Sequence, residues 1–198
     1  MKTRTWQEFF AGQSKNGKIL FTLTELANVA GVPRRIVNVE MTRLVKYGVV
    51  TRYSKGLYGR CGENVLPEQL LPCMDSHAYV TGVYALMRHG LATQVPTVIT
   101  CFTTRRHYRR VTQTMIGRIE FVCVKPPVYR HAAGVIAGPE QALCDFVYMT
   151  LRRGVDPASI LTLRRLQCLQ RVVLVRTVKR YPVTVRRKVA ALATQEPE

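Results

Sequence analysis

The chain is predicted to be an α+β protein: an N-terminal winged helix-turn-helix, then a mixed α/β domain with a helical basic tail. Three observations predict this. Residues 21–59, FTLTELANVAGVPRRIVNVEMTRLVKYGVVTRYSKGLYG, read as helix, glycine turn, helix, glycine and hairpin. Residues 79–154 interleave short β-branched runs with helical ones. The charge is +18 across 198 residues, with 30 Lys and Arg against 12 Asp and Glu.

The elements follow in order. Residues 1–12 carry Trp6, Phe9 and Phe10 at i, i+3, i+4 spacing, the apolar face of a first helix. Residues 13–18 are a polar loop, and Ile19-Leu20-Phe21 a short strand. Thr22 and Glu25 form the S/T-x-x-E pattern of a capped helix start, here for residues 23–30. Gly31 ends that helix, because glycine enters the left-handed region without a steric cost. Pro33 opens the next helix, at a position whose N–H would be unpaired anyway; Tyr47 and Gly48 close it. Two helices joined so tightly make a helix-turn-helix, with small Ala27 at the crossing.

In that second helix Val37, Met41, Leu44 and Val45 are expected to face the core. Arg34, Arg35, Asn38, Thr42 and Arg43 fall on the other face, mostly near the N-terminal end, where a recognition helix meets base edges. Val49 to Tyr53, Ser54-Lys55-Gly56 and Leu57-Tyr58-Gly59 read as a two-stranded wing with a basic tip. The expected base contacts are Arg34, Arg35, Asn38 and Thr42; Arg43, Arg52, Lys55 and Arg60 are expected on the DNA backbone. The plainer alternative is a small helical domain whose arginines are only solvated. The position of the charges, where a groove reader needs them, favours DNA.

Gly62, Pro67 and Pro72 mark residues 63–72 as a linker, so the domains are expected at 1–62 and 73–198. In the second domain Tyr79-Val80 is a strand, and Thr81 caps a helix running from Gly82 to His89, closed by Gly90. Residues 97–102 and 119–124 are strands by β-branched content, and Ala133 to Ala137 is a third, short one. Arg105-Arg106-His107-Tyr108-Arg109-Arg110 is a basic loop. Gly138-Pro139-Glu140 opens a strong helix that stops at Gly154, and Asp156-Pro157 starts another. The tail from Leu169 to Ala193 is helical, broken near Pro182.

The charge divides as +8 over residues 1–62, −2 over 63–72 and +12 over 73–198. A balance this basic points to a polyanionic partner, most simply nucleic acid. It also means that the winged helix is not the whole electrostatic story. A candidate second phosphate-binding surface comprises Arg105, Arg106, Arg109 and Arg110 with Arg171, Arg176, Lys179, Arg180, Arg186, Arg187 and Lys188. Tyr108 among those arginines is placed to stack on a base.

Six cysteines, none in a C-x-x-C pair, read as reduced thiols of a cytoplasmic protein rather than disulfides or a metal site. No secretory signal is read at the start, where Met1-Lys2-Thr3-Arg4 leads into the first helix. No apolar run approaches the roughly 20 residues of a bilayer span. Glu140 and Asp145 stand five apart, not at the i, i+3 or i+4 spacing of a catalytic carboxylate pair, and no positioned nucleophile accompanies them. The chain is accordingly expected to be no enzyme and to need no cofactor. His89 is expected to bond a carbonyl at a helix end, Glu140 to answer a helix dipole and Asp145 to pair with an arginine.

Several blocks carry a resemblance. Tyr79-Val80-Thr81-Gly82-Val83-Tyr84-Ala85-Leu86, then His89-Gly90-Leu91, Gln94-Val95-Pro96 and Pro139-Glu140-Gln141-Ala142-Leu143-Cys144-Asp145 resemble the AbiEi antitoxin family. That family shows Y-[IV]-[ST]-G-x-x-A-L-x-x-H-G-L, Q-x-P and P-E-[KR]-[AT]-L-x-D blocks in this order. The likeness spans roughly residues 20–165 and includes the Gly-Leu-Tyr that closes the wing. Gln141 stands where the family often has a base, and Tyr84 where serine is common.

The resemblance implies an N-terminal winged helix that binds repeats in the operon's own promoter. It also implies a C-terminal domain that counters a nucleotidyltransferase-like toxin encoded next door, without a stable complex: a type IV toxin–antitoxin pair, serving abortive phage infection. Repression would place two copies, as a dimer, on an inverted repeat. The rival expectations are an interaction module whose basic C-terminal domain grips RNA or an acidic protein, and a solitary regulator with no toxin.

Overall fold

The computed structural model describes residues 3–107, 109–130 and 134–194. It has mixed α and β structure with two small sheets. Two compact units divide it: Met1–Ser76 with Gln113–Ile116, and His77–Thr112 with Gly117–Glu198.

The first unit contains α1 (Thr3–Lys15), β1 (Leu20–Thr22), α2 (Leu23–Ala30), α3 (Arg34–Lys46), β2 (Val50–Ser54), β3 (Leu57–Arg60) and α4 (Pro67–Met74). The strands form an antiparallel sheet in the order β1-β3-β2. Its core joins Trp6 and Phe10 of α1 to Phe21, Leu26, Ala27, Val37, Met41, Leu44 and Tyr58. The expected capping box is present: the Thr22 hydroxyl accepts from Glu25 N, and the Glu25 carboxylate accepts from Thr22 N at 2.7 Å. Gly31 takes the left-handed turn at φ 64. Pro33 stands one place earlier than expected, as the N-cap of α3.

Three sequence readings need correction in this unit. The first helix runs on to Lys15, where a loop was expected from residue 13; Ser14 Oγ donates to the Glu63 carboxylate and ties down the added turn. Val45 does not face the core but is 37% exposed. At about 100° per residue it follows Leu44 out onto the open side of α3. Residues 63–72 are not a bare linker: α4 lies there, with Leu70 and Leu71 fully buried. Pro67 read as a loop signal, but at the first turn of a helix its missing N–H costs nothing.

Gly59 lets β1 and β3 approach. A Cβ there would lie 2.5 Å from the Ile19 carbonyl oxygen. The demand at this site is for space between strands.

The second unit contains β4 (Tyr79–Thr81), α5 (Gly82–Arg88), β5 (Val98–Thr103), the first half of β6 (Val111–Thr114, whose Gln113 and Thr114 fall in the first unit), β7 (Gly117–Cys123), α6 (Pro139–Arg152), α7 (Pro157–Ile160), α8 (Arg171–Val178) and α9 (Val183–Thr194). The sheet order is β4-β5-β7-β6, with β4 antiparallel to β5 and β5 parallel to β7. Nine residues of α6 are buried, from Glu140 to Thr150, so it is the central helix that α5, α8 and α9 pack around. Strand β6 was not anticipated: a four-residue edge strand carries too little periodicity to stand out beside an arginine cluster. The expected third strand shrinks to one bridge, Ile136 to Val80. Its first residue, Ala133, lies outside the described residues.

Candidate nucleic-acid interface

Helix α3 buries only Val37, Met41 and Leu44. Its other side is open. Arg34, Arg35, Asn38, Thr42 and Arg43 are all exposed there, as the spacing predicted, and so is Lys46. Among the described residues no carboxylate pairs with Arg34, Arg35, Arg43 or Lys46. The helix's own acid, Glu40, is half-buried and accepts from the Trp6 indole N–H of α1 at 2.9 Å.

Two of the expected base readers are partly committed. The Tyr58 hydroxyl donates to Asn38 Oδ1 at 3.4 Å, which ties Asn38 to β3. The Thr42 hydroxyl donates to the Asn38 carbonyl at 2.8 Å, back along its own helix. What α3 presents outward is therefore its arginines, Lys46, the Thr42 methyl and several apolar side chains: Ile36, Val39, Val45 and Tyr47 are 43%, 50%, 37% and 69% exposed. The apolar part was not expected, since periodicity alone assigns an apolar residue to a core.

Beside α3 the β2–β3 hairpin turns through Lys55-Gly56, with Gly56 at φ 75. Gly56 O accepts from Leu23 N at 2.8 Å, which holds the turn against the start of α2. A register shift between Arg52 and Ser54 marks a bulge at Tyr53, whose hydroxyl donates to the Glu63 carbonyl at 2.9 Å. Arg52, Lys55 and Arg60 are exposed. Arg60 lies 4.0 Å from the Glu63 carboxylate, but Arg52 and Lys55 have no acidic partner among the described residues.

The candidate second surface is only partly available. Arg110 pairs with Glu120 at 3.0 Å, and Arg153 reaches the same carboxylate at 2.8 Å. Arg105, Arg106 and Arg109 are exposed, His107 stacks on Phe121 at 4.0 Å, and Tyr108 lies outside the described residues. In the tail Arg186 donates to the Tyr181 and Lys179 carbonyls at 2.8 and 2.6 Å, so it clamps the α8–α9 turn. Lys188 pairs with Asp156 at 2.7 Å. Arg171, Arg176, Lys179 and Arg187 are exposed and Arg180 half-buried.

The residues of the Tyr79–Leu91 and Pro139–Asp145 blocks meet in the interior of the second unit. Asp145 is fully buried and accepts from the hydroxyls of Tyr181 at 2.6 Å, Thr81 at 2.8 Å and Tyr79 at 3.1 Å. Burial disfavours its charge and pushes the carboxyl up to about 7, against the three hydroxyl donors and the Arg180 charge, which favour the ionised form. The same burial, reinforced by Asp145, raises the Tyr79 and Tyr181 phenols. It raises the Cys144 thiol to about 12.

The expected pairing of Asp145 with an arginine is thus replaced by three hydroxyls. The expected side-chain cap from Thr81 is absent because its hydroxyl serves Asp145 instead. His89 does bond a carbonyl, but across the fold, with a ring nitrogen 2.8 Å from Ala137 O. Glu140, in the first turn of α6 after Pro139, accepts from Gln170 N at 2.8 Å. Gly82 and Gly90 take left-handed φ values of 64 and 72 at the two ends of α5. Tyr181 went unrecognised because nothing in its local sequence signals a partner 36 positions away.

This buried cluster ties β4, through Tyr79 and Thr81, to α6, through Asp145, and to Tyr181 in the turn between α8 and α9. Among the described residues no group of His, Cys, Asp and Glu side chains is gathered to hold a metal ion. No helix among them is long and apolar enough to cross a membrane. No family model matches the chain, and no curated protein matches it either.

Proposed function

We propose that the first unit is a winged helix-turn-helix that binds duplex DNA, and that the protein is a sequence-specific repressor. In this reading α3 lies in the major groove and the β2–β3 hairpin is the wing against the phosphate backbone. The observation that carries it is the open face of α3, where Arg34, Arg35, Arg43 and Lys46 are exposed with no acidic partner among the described residues. Arg52 and Lys55 extend the same charge onto the hairpin. Arg34 and Arg35 read bases, with Asn38 contributing where Tyr58 releases it; a bidentate arginine–guanine pair is worth about 1–3 kcal/mol of discrimination. Arg43, Arg52, Lys55 and Arg60 set register on phosphates.

The resemblance to the AbiEi family extends the proposal to the antitoxin of a type IV pair that represses its own operon as a dimer on an inverted repeat. The meeting of the two family blocks around Asp145 supports it, because motif residues that build one joint have a reason to recur together. A second reading draws on the exposed tail, where Val172 is 77% exposed between Arg171 and the half-exposed Val173. On that reading the second unit is an interaction module for RNA or an acidic protein.

Footprinting on the DNA upstream of the gene separates the two. The wild type is expected to protect a repeat at moderate salt, and Arg34→Ala/Arg35→Ala to lose it. Unspecific shifts that vanish at moderate salt would overturn the repressor. A neighbouring toxin-like gene whose toxicity the chain suppresses on co-expression tests the antitoxin part.

A further inference from the structure

Val39 occupies the middle of the most outward line of α3. It follows Arg35 by four positions and precedes Arg43 by four, so the three share one face of the helix. It is 50% exposed, and the buried residues Val37, Met41 and Leu44 lie on the opposite side. A β-branched residue there gains nothing from packing and is a poorer helix former than the lysine or glutamate that would suit a merely solvated surface. Thr42, three positions on, spends its hydroxyl on the Asn38 carbonyl and leaves its methyl as the group to offer. An apolar pair therefore sits between Arg35 on one side and Arg43 and Lys46 on the other.

The positive rim selects a polyanion, and the apolar centre must then meet whatever apolar group lies in its groove. In the major groove of DNA that group is the C5-methyl of thymine; cytosine has only a C5–H in its place, and adenine and guanine present chiefly hydrogen-bonding edges there. We infer that Val39 is a specificity-determining residue that packs against a thymine methyl, with Thr42 beside it, so that each half-site carries a T·A pair next to the base read by Arg35. This rests on the proposed reading of α3 as a groove-binding helix.

The test selects duplexes from a random pool with the full chain, then replaces each thymine of the recovered motif in turn with uracil, which removes only the methyl. The wild type is expected to lose about fourfold in affinity at one thymine of each half-site, the worth of one buried methyl. Val39→Ala, which favours the helix and leaves the core untouched, is expected to bind thymine and uracil equally at that position and to keep its preferences elsewhere. A recovered motif with no methyl dependence would overturn this inference and leave DNA reading intact. So would a methyl dependence that survives in Val39→Ala. Failure to recover any motif would overturn the reading of α3 itself, and this inference with it.

Discussion

Asp145→Asn offers a measurement in which two opposing effects must be weighed. Three hydroxyl donors favour the ionised carboxylate, and complete burial favours the neutral acid. If burial prevails, the folded group titrates near 7 against an ordinary value of 3.8. The unfolded chain then holds fewer protons than the folded one between those values, so stability falls as pH rises through that window. Below 3.8 the contribution is fully present; above about 7 it is gone. At about 1.4 kcal/mol per pH unit the loss accumulates to roughly 4 kcal/mol.

Asparagine cannot titrate, so the difference in unfolding free energy between wild type and Asp145→Asn isolates this one group from the other carboxylates. Urea unfolding from pH 4 to 8 is followed by the near-ultraviolet dichroism of the tyrosines, six of nine of which belong to the second unit, where Tyr79 and Tyr181 contact the carboxylate. Fluorescence of Trp6, the single tryptophan, reports the first unit and is expected to show the same transition in both proteins. The wild type should lose ground to the variant steadily from pH 4 to 7. A difference that stays flat would refute the reasoning, since it would mean that the three hydroxyls outweigh burial and the group is ionised throughout.

Other outcomes follow from single contacts. Gly59→Ala drives a methyl against the Ile19 carbonyl and is expected to destabilise the first unit by about 1–3 kcal/mol, read as a lower denaturant midpoint by Trp6 fluorescence. Thr22→Ala removes the side-chain half of the capping box on α2 and should cost about 1 kcal/mol in the same assay. Arg186→Ala releases the Tyr181 and Lys179 carbonyls and is expected to lower the second unit's stability by about 1 kcal/mol, with the tyrosine dichroism changed and the Trp6 transition unmoved. On the proposed reading of the first unit as a DNA-binding domain, Lys55→Ala should weaken binding uniformly across DNA sequences and reduce the salt slope by about 1, as measured by titration at several salt concentrations.

Much of the first unit was legible because its signals are local. The capping box at Thr22 and Glu25, the turn at Gly31 and the hairpin at Lys55-Gly56 each depend on residues a few positions apart, and each appears in the fold. The exposed arginines of α3 follow from the same 3.6-residue period that buries Val37, Met41 and Leu44. The misreadings have a common origin. Pro67 is punctuation in a loop and harmless in the first turn of a helix, and Pro72 lies inside α4 despite the hydrogen bond it removes there, so composition could not tell α4 from a linker. Val45 looks like core by type and lies on the surface.

Local pattern, then, determined where helices begin and end in the first unit and which face of α3 carries charge, since capping and periodicity act within a turn or two of the chain. Tertiary structure alone decided which charges remain available and which are spent. Arg110 is taken by Glu120, Arg186 by two carbonyls and Lys188 by Asp156, while Arg35 and Arg43 meet no acid among the described residues. It also decided that Tyr79, Thr81 and Tyr181 would share one carboxylate. Such partners lie tens of residues apart, and a hydrogen bond or ion pair depends on distance in space, which spacing along the chain does not encode.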